Sequence, residues 1–167
     1  GSFWLDIDCG EGKDYETRDQ AVTAIKQFCV ACDLPEPLLV NSGGGLHSYW
    51  PLETAVPKEN WLPVAGRLKE LTHNSAIRLY ADDTRTADIS SVLRPIGTHN
   101  WKPKYDGPIV KIVQDVEPVD FDYFVSKISD AITKYIAVQD AKFAPNEPEI
   151  EVCIQTDELQ KMLKYIS

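Results

Sequence analysis

The sequence has no apolar run near the roughly 18 residues that cross a membrane as a helix, and its start, GSFWLDIDCG, has no basic patch leading into an apolar stretch. Neither a membrane-inserted nor a secreted protein is expected. Cysteine is sparse, with Cys9, Cys29, Cys32 and Cys153. Cys29 and Cys32 form a C-x-x-C, but no second pair follows and no histidine stands at zinc-site spacing, so the two are expected as small apolar residues on successive turns of a helix. Nothing demands disulfides, and a reducing intracellular compartment is the default. A Gly-Lys-Ser/Thr loop and a dinucleotide fingerprint are both missing, which removes the P-loop and Rossmann classes. Basic charge is short as well: 17 Lys+Arg face 26 Asp+Glu, a net −9 and the wrong sign for a protein that grips nucleic acid over its whole surface.

What is present reads as one folded domain. Over 167 residues, 43% are hydrophobic and 26% charged, near the globular average and far from a disordered or collagen-like chain. Gly1 and Ser2 read as a cloning remnant ahead of an apolar strand, as if the domain had been cut from a longer protein. The charge is uneven, about −3 over residues 1–105 and −6 over 106–167. Between Arg94 and Lys104 stand Arg94, Lys102 and Lys104 with no acid, so a local anion site can coexist with the negative total.

Residues 3–8 alternate as a strand, with Phe3, Leu5 and Ile7 on one face and Trp4, Asp6 and Asp8 on the other. Thr17 is placed to cap a helix over about 18–33. LLV at 38–40, the turn NSGGG and LHSYWPL read as a hairpin. Residues 58–73 read as an amphipathic helix with Pro63 in its first turn, IRLYA at 77–81 as a strand, and PIVKIVQ at 108–114 as another. A helix is expected from Phe121 to about Lys142, closing a domain over 3–143. Residues 144–155 have linker character, and 156–167 read as a last helix that starts something further. Strands and helices intermix with hairpins, so the class is α+β.

Three elements carry candidate chemistry. Asp6 and Asp8 put two hard oxygen ligands on one face, where their repulsion is relieved by a divalent cation. The glycines of SGGGLHSYW, Gly44 and Gly45 among them, let backbone N–H groups approach an anion, and His47 follows directly. In ADISSVLRPIGTHNWK, Asp88 offers another carboxylate, Arg94 a bidentate phosphate fork, and Thr98, Asn100 and Lys102 further donors.

In this order the elements resemble the motifs of the archaeo-eukaryotic primase (AEP) superfamily, in particular its viral and plasmid primase-polymerases. The family's acidic-x-acidic pair matches Asp6 and Asp8, its small-x-His matches Gly45-Leu46-His47, and its third acidic residue matches Asp88. Its R-x-P-G-T-x-N-x-K loop is similar to the stretch from Arg94 to Lys102, here with Pro95 and Ile96 in the order opposite to the common one. Gly45 stands where serine is usual, so a backbone N–H would replace a hydroxyl contact. The resemblance covers about residues 3–114. It implies an AEP-type core with an RRM-like mixed sheet flanked by helices, and template-directed nucleotidyl transfer, as DNA primase or DNA polymerase. Asp6, Asp8 and Asp88 would hold two Mg²⁺ or Mn²⁺ ions, His47 and Arg94 would bind the nucleoside triphosphate, and Lys102 would reach phosphate oxygens or template. Lys13 and Tyr15 would reach the triphosphate or ribose. It further implies single-stranded DNA as template, a helicase domain in the parent protein, and a host cell's cytoplasm as the location. The alternatives are a non-catalytic nucleotide- or nucleic-acid-binding module of the same fold and a metal-dependent nuclease. A topoisomerase-primase domain needs a glutamate on an earlier strand than the one bearing Asp6.

Overall fold

The computed structural model describes residues 1–137. The expected linker at 144–155, the last helix at 156–167 and Cys153 lie outside them. Strand β1 (Ser2–Asp8) follows its alternation: Phe3, Leu5 and Ile7 are fully buried, whereas Asp8 is exposed. Helix α1 (Arg18–Cys32) starts at Thr17 with a reciprocal cap: Thr17 Oγ1 accepts from Gln20 N–H at 3.3 Å, and Gln20 Oε1 accepts from Thr17 N–H at 3.1 Å. Strands β2 (Leu38–Asn41) and β3 (Gly45–Pro51) form the hairpin. Helix α2 (Lys58–His73), the short α3 (Asp83–Thr86), β4 (Lys111–Gln114) and α4 (Phe121–Ile132) follow, with a π turn at Thr133–Ala137 closing the described chain.

The sheet order is β1-β3-β2-β4 with every ladder antiparallel. Parallel pairing enters through isolated bridges, Cys9 with Tyr15 and Leu52 with Val119. Helices α1, α2 and α4 pack on one face, where Phe3 stacks on Trp61 at 5.6 Å and on Phe124 at 4.8 Å between ring centroids. The thiols of Cys29 and Cys32 are buried on α1 and pushed up to about 12, chiefly by burial, as inert core thiols.

Three expectations are corrected. Ile77–Ala81 is extended but is no strand, because its N–H groups are taken one by one: Leu79 donates to Thr72 O and Tyr80 to the Tyr15 hydroxyl, and only Asp82 N–H reaches β1, at Asp6 O (2.7 Å). Residues 108–110 turn away from β2, since Val110 N–H donates to Thr98 O and Asn100 N–H to Pro108 O. Their partner is the Arg94–Asn100 loop. Pro63 is the sixth residue of α2 and not in its first turn; it and Glu59, whose carbonyl it leaves without an i+4 donor, both lie on the exposed side where water can serve.

Candidate active site

Pairing register builds the site from the sheet face opposite the helices. Asp6 lies across from His47 and Asp8 across from Gly45, so the acids of β1 and the histidine of β3 share one face by construction. His47 is buried, with Nε2 3.7 Å from Asp6 Oδ1 and Nδ1 3.2 Å from the Tyr49 hydroxyl. Burial first, and the Arg94 charge second, pull its pKa down to about 4, so the ring is neutral at pH 7. Burial raises Tyr49 to about 12, which keeps its O–H a donor. Asp6 is raised to about 6, first by burial and then by the charges of Asp8 and Asp82. Carboxylate crowding thus adds to burial in disfavouring the charged form of Asp6, and a divalent cation would relieve it.

Over this face lies an open cleft of about 100 Å³. Asp6 and Asp8 line it together with the cations Arg85, Arg94 and Lys102, and Gly44 and Asn100 border it. Opposite charges thus line one cleft. Asp8 also lines a second cleft with Lys13 and Asp82. Lys13 Nζ donates to Asp8 Oδ2 at 2.7 Å, and this bond raises the lysine's pKa.

The glycines have a steric reason. At Gly45 a Cβ would fall on the backbone carbonyl of Ile7, so a serine side chain has no room in this register. At Gly44 it would enter the Tyr105 ring, whose hydroxyl donates to Gly44 O at 3.3 Å. Gly43, at φ +79°, lies against Asn100 and Pro108. The run lets the 100–108 loop and β1 close on the hairpin. Asn100 clamps the same junction: its Nδ2 donates to Ser42 O at 3.2 Å and its Oδ1 accepts from Lys102 N–H at 3.3 Å. Tyr15 donates no contact to the cleft; its hydroxyl accepts from Tyr80 N–H. Thr98 Oγ1 donates to Pro95 O within its own turn.

Asp88 does not join the other acids. It lines neither cleft, and its carboxylate closes a turn, accepting from Ser90 Oγ at 2.6 Å, Ser90 N–H at 3.0 Å and Ser91 Oγ at 3.0 Å. The Ser90 hydroxyl first, and then these other donors, lower its pKa. The acid beside the pair is Asp82, whose backbone N–H binds Asp6 O and whose charge acts on Asp6. Burial acts to raise Asp82, but Thr84, donating from Oγ1 at 2.6 Å and from N–H at 2.8 Å, brings it below the usual range. Sequence reasoning missed Asp82, Arg85 and Tyr105. Asp82 had a signal: it ends the extended IRLYA stretch, as Asp6 and Asp8 end β1. Among the described residues, no group of three or more His, Cys, Asp or Glu side chains stands already arranged around a cation position. The donors are hard carboxylate oxygens, the type that suits Mg²⁺ or Mn²⁺.

Comparison with protein families and with curated proteins gives no match. Among solved structures the chain is similar to the AEP domain of the cyanophage S-2L primase-polymerase (PrimPol), with a TM-score of 0.57 and 22% sequence identity over 76% of this chain. The match spans 59% of that domain's length. At this identity the likeness establishes the α+β AEP fold and its topology. No described helix is long and apolar enough to cross a membrane.

Proposed function

We propose that the cleft binds a nucleoside triphosphate and that the chain is a nucleotidyltransferase, extending a nucleic-acid strand on a single-stranded DNA template as a primase, a DNA polymerase or both. The observation that carries this reading is that Asp6 and Asp8 line one cleft with Arg85, Arg94 and Lys102, on a fold shared with a primase-polymerase domain. In the reaction a strand's 3′ oxygen forms a bond to the α-phosphorus while the bond to the β-phosphate bridging oxygen breaks, and pyrophosphate leaves. Two divalent cations, when bound, would supply activation of the attacking oxygen and stabilisation of the leaving group. Asp6, Asp8 and Asp82 would hold them, with Asp82 in the place first assigned to Asp88.

The remaining roles follow from position. Arg94 and Arg85 bind phosphate oxygens through planar forks, and Lys102 adds a point charge. His47 Nδ1 lies 3.2 Å from the Tyr49 hydroxyl, which leaves Nε2 facing Asp6 and the cleft. Lys13, paired with Asp8 at the exposed rim, turns to the triphosphate once Asp8 is otherwise engaged. Gly44, Gly45 and Asn100 hold the cleft's border in shape.

One observation favours a second reading, a nucleotide-binding module without turnover: Lys13 already pairs with Asp8, and no three-acid group is preformed among the described residues. The deciding experiment is incorporation of labelled dNTP and rNTP, with and without primer, in Mg²⁺ or Mn²⁺. Incorporation that disappears in Asp6→Ala, Asp8→Ala and Asp82→Ala and persists in Asp88→Ala is expected. Tight nucleotide binding with no incorporation under any of these conditions would favour the module, and activity in Asp6→Ala would end the proposal.

A further inference from the structure

The loop that brings Asn100 and Lys102 to the cleft carries Trp101 between them. Asn100 is buried, while Trp101 is 75% exposed. The other three tryptophans are built into the protein by their indole N–H groups, Trp4 donating to Arg85 O, Trp50 to Pro35 O and Trp61 to Ser2 O. Trp101 is held differently. His99 stacks on it at 5.4 Å between centroids and 22° between planes, and His99 is in turn bridged to Ile109. On another side Gly107, at φ +58°, lies so close that a Cβ there would fall on the six-membered ring of Trp101. A large indole is thus kept in one orientation yet presented to solvent, beside the exposed Ile109.

Leaving so much aromatic surface in water is unfavourable unless something covers it. The surrounding charge says what. From Arg94 to Lys111 the chain carries Arg94, Lys102, Lys104 and Lys111 against the single acid Asp106, in a protein of net −9. An aromatic platform set in cations within an otherwise acidic molecule matches a polyanion whose units bear flat rings. We infer that His99 and Trp101 form a stacking platform for an unpaired base of single-stranded nucleic acid, with Lys104 and Lys111 meeting the flanking phosphates. The inference rests on the proposed polymerising site and extends it: a platform one residue from Asn100 and Lys102 would seat a template base next to the nucleotide cleft.

Tryptophan emission of the 167-residue chain reads this directly, because Trp101 is the exposed indole. Oligo(dT) and oligo(rU) are the two probes, and an abasic oligomer of equal length carries the phosphates without the bases. Quenching by the base-bearing oligomers is expected, with affinity falling about 5- to 150-fold in Trp101→Ala and largely kept in Trp101→Phe. His99→Ala should give a smaller loss. The salt slope should be about −1.4, for the roughly two phosphates these lysines can meet. The abasic oligomer should not quench, and should bind the native chain about as weakly as oligo(dT) binds Trp101→Ala. Equal binding by Trp101→Ala and the native chain, equal quenching by the abasic oligomer, or no quenching at all would overturn the platform. So would equal quenching by poly-glutamate, which would make this a surface for acidic peptide. Calorimetry with dNTP and Mn²⁺ reports the cleft separately: its failure with quenching intact would sink the polymerase reading and leave the platform standing.

Discussion

On the helix-covered face of the sheet, Phe3, Leu5 and Ile7 are fully buried among aromatic and aliphatic neighbours; on the opposite face the intervening residues of the same strand, Trp4, Asp6 and Asp8, meet His47, Tyr49 and a cleft of charges. Core and site are separated by the thickness of one backbone. The apolar face supplies the stability that lets the polar face carry costs: a desolvated carboxylate at Asp6, a neutral buried imidazole at His47 and the close approach of Gly45 to β1. The two faces should therefore respond in opposite ways to substitution, one losing stability and the other losing chemistry.

The largest difference is expected between two aspartates six residues apart. Asp82→Asn should reduce incorporation at least a thousandfold, about 4 kcal/mol of barrier, whereas Asp88→Asn should leave it within a few-fold. Rates measured in Mn²⁺ check this, and similar losses in both would return Asp88 to the site. On the core face, Phe3→Ala removes a ring stacked between Trp61 and Phe124 and should cost about 3–5 kcal/mol of stability in denaturant unfolding. A loss below about 1 kcal/mol would mean that the aromatic stack is not the keystone of that face.

Titration sharpens the contrast within the site. With its pKa raised to about 6, Asp6 ionises later in the folded than in the unfolded chain, so it removes stability as pH rises from about 4 to 6, by about 3 kcal/mol in total. His47, lowered to about 4, has the reverse effect: stability is lost as pH falls from about 6.5 to 4, again by about 3 kcal/mol. The two slopes largely cancel in the native chain. Asp6→Asn should then grow more stable than the native chain as pH rises through that window, and His47→Gln should grow more stable than it as pH falls. Parallel unfolding profiles for the two variants between pH 4 and 6.5 would contradict the burial assigned to them.

Gly45→Ser tests whether close packing or a hydroxyl matters at the hairpin. A side chain there meets the Ile7 carbonyl, and about 1–3 kcal/mol of destabilisation is expected with no gain in nucleotide affinity. The smallest effect belongs to the core face, where Ser48 Oγ is a buried hydroxyl without a hydrogen-bond partner among the described residues. Ser48→Ala should be neutral or stabilise by up to about 1 kcal/mol. A clear destabilisation would reveal a partner for that hydroxyl.

Local rules carried much of the fold. Alternation in FWLDID assigned both faces of β1, Thr17 announced the capped start of α1, the bounds of α2 followed from its apolar spacing, and NSGGG marked the hairpin. Asp6, Asp8 and His47 were legible together because strand period and hairpin register are short-range quantities, and Arg94, Lys102, Gly44 and Asn100 do border the cleft. Tertiary structure alone decided the rest. Whether Asp82 or Asp88 stands beside Asp6 depends on where the chain after α2 touches β1, through Asp82 N–H to Asp6 O and Trp4 indole N–H to Arg85 O, contacts between distant residues that no local pattern encodes. The same holds for the failed strand at 77–81, whose backbone groups found partners in α2 and Tyr15, and for Gly44, which is small because Tyr105 comes to rest on it. Periodicity and capping act through neighbours in the chain; the choice among several acids or glycines is made by contacts between distant segments, and these exist only once the core has closed.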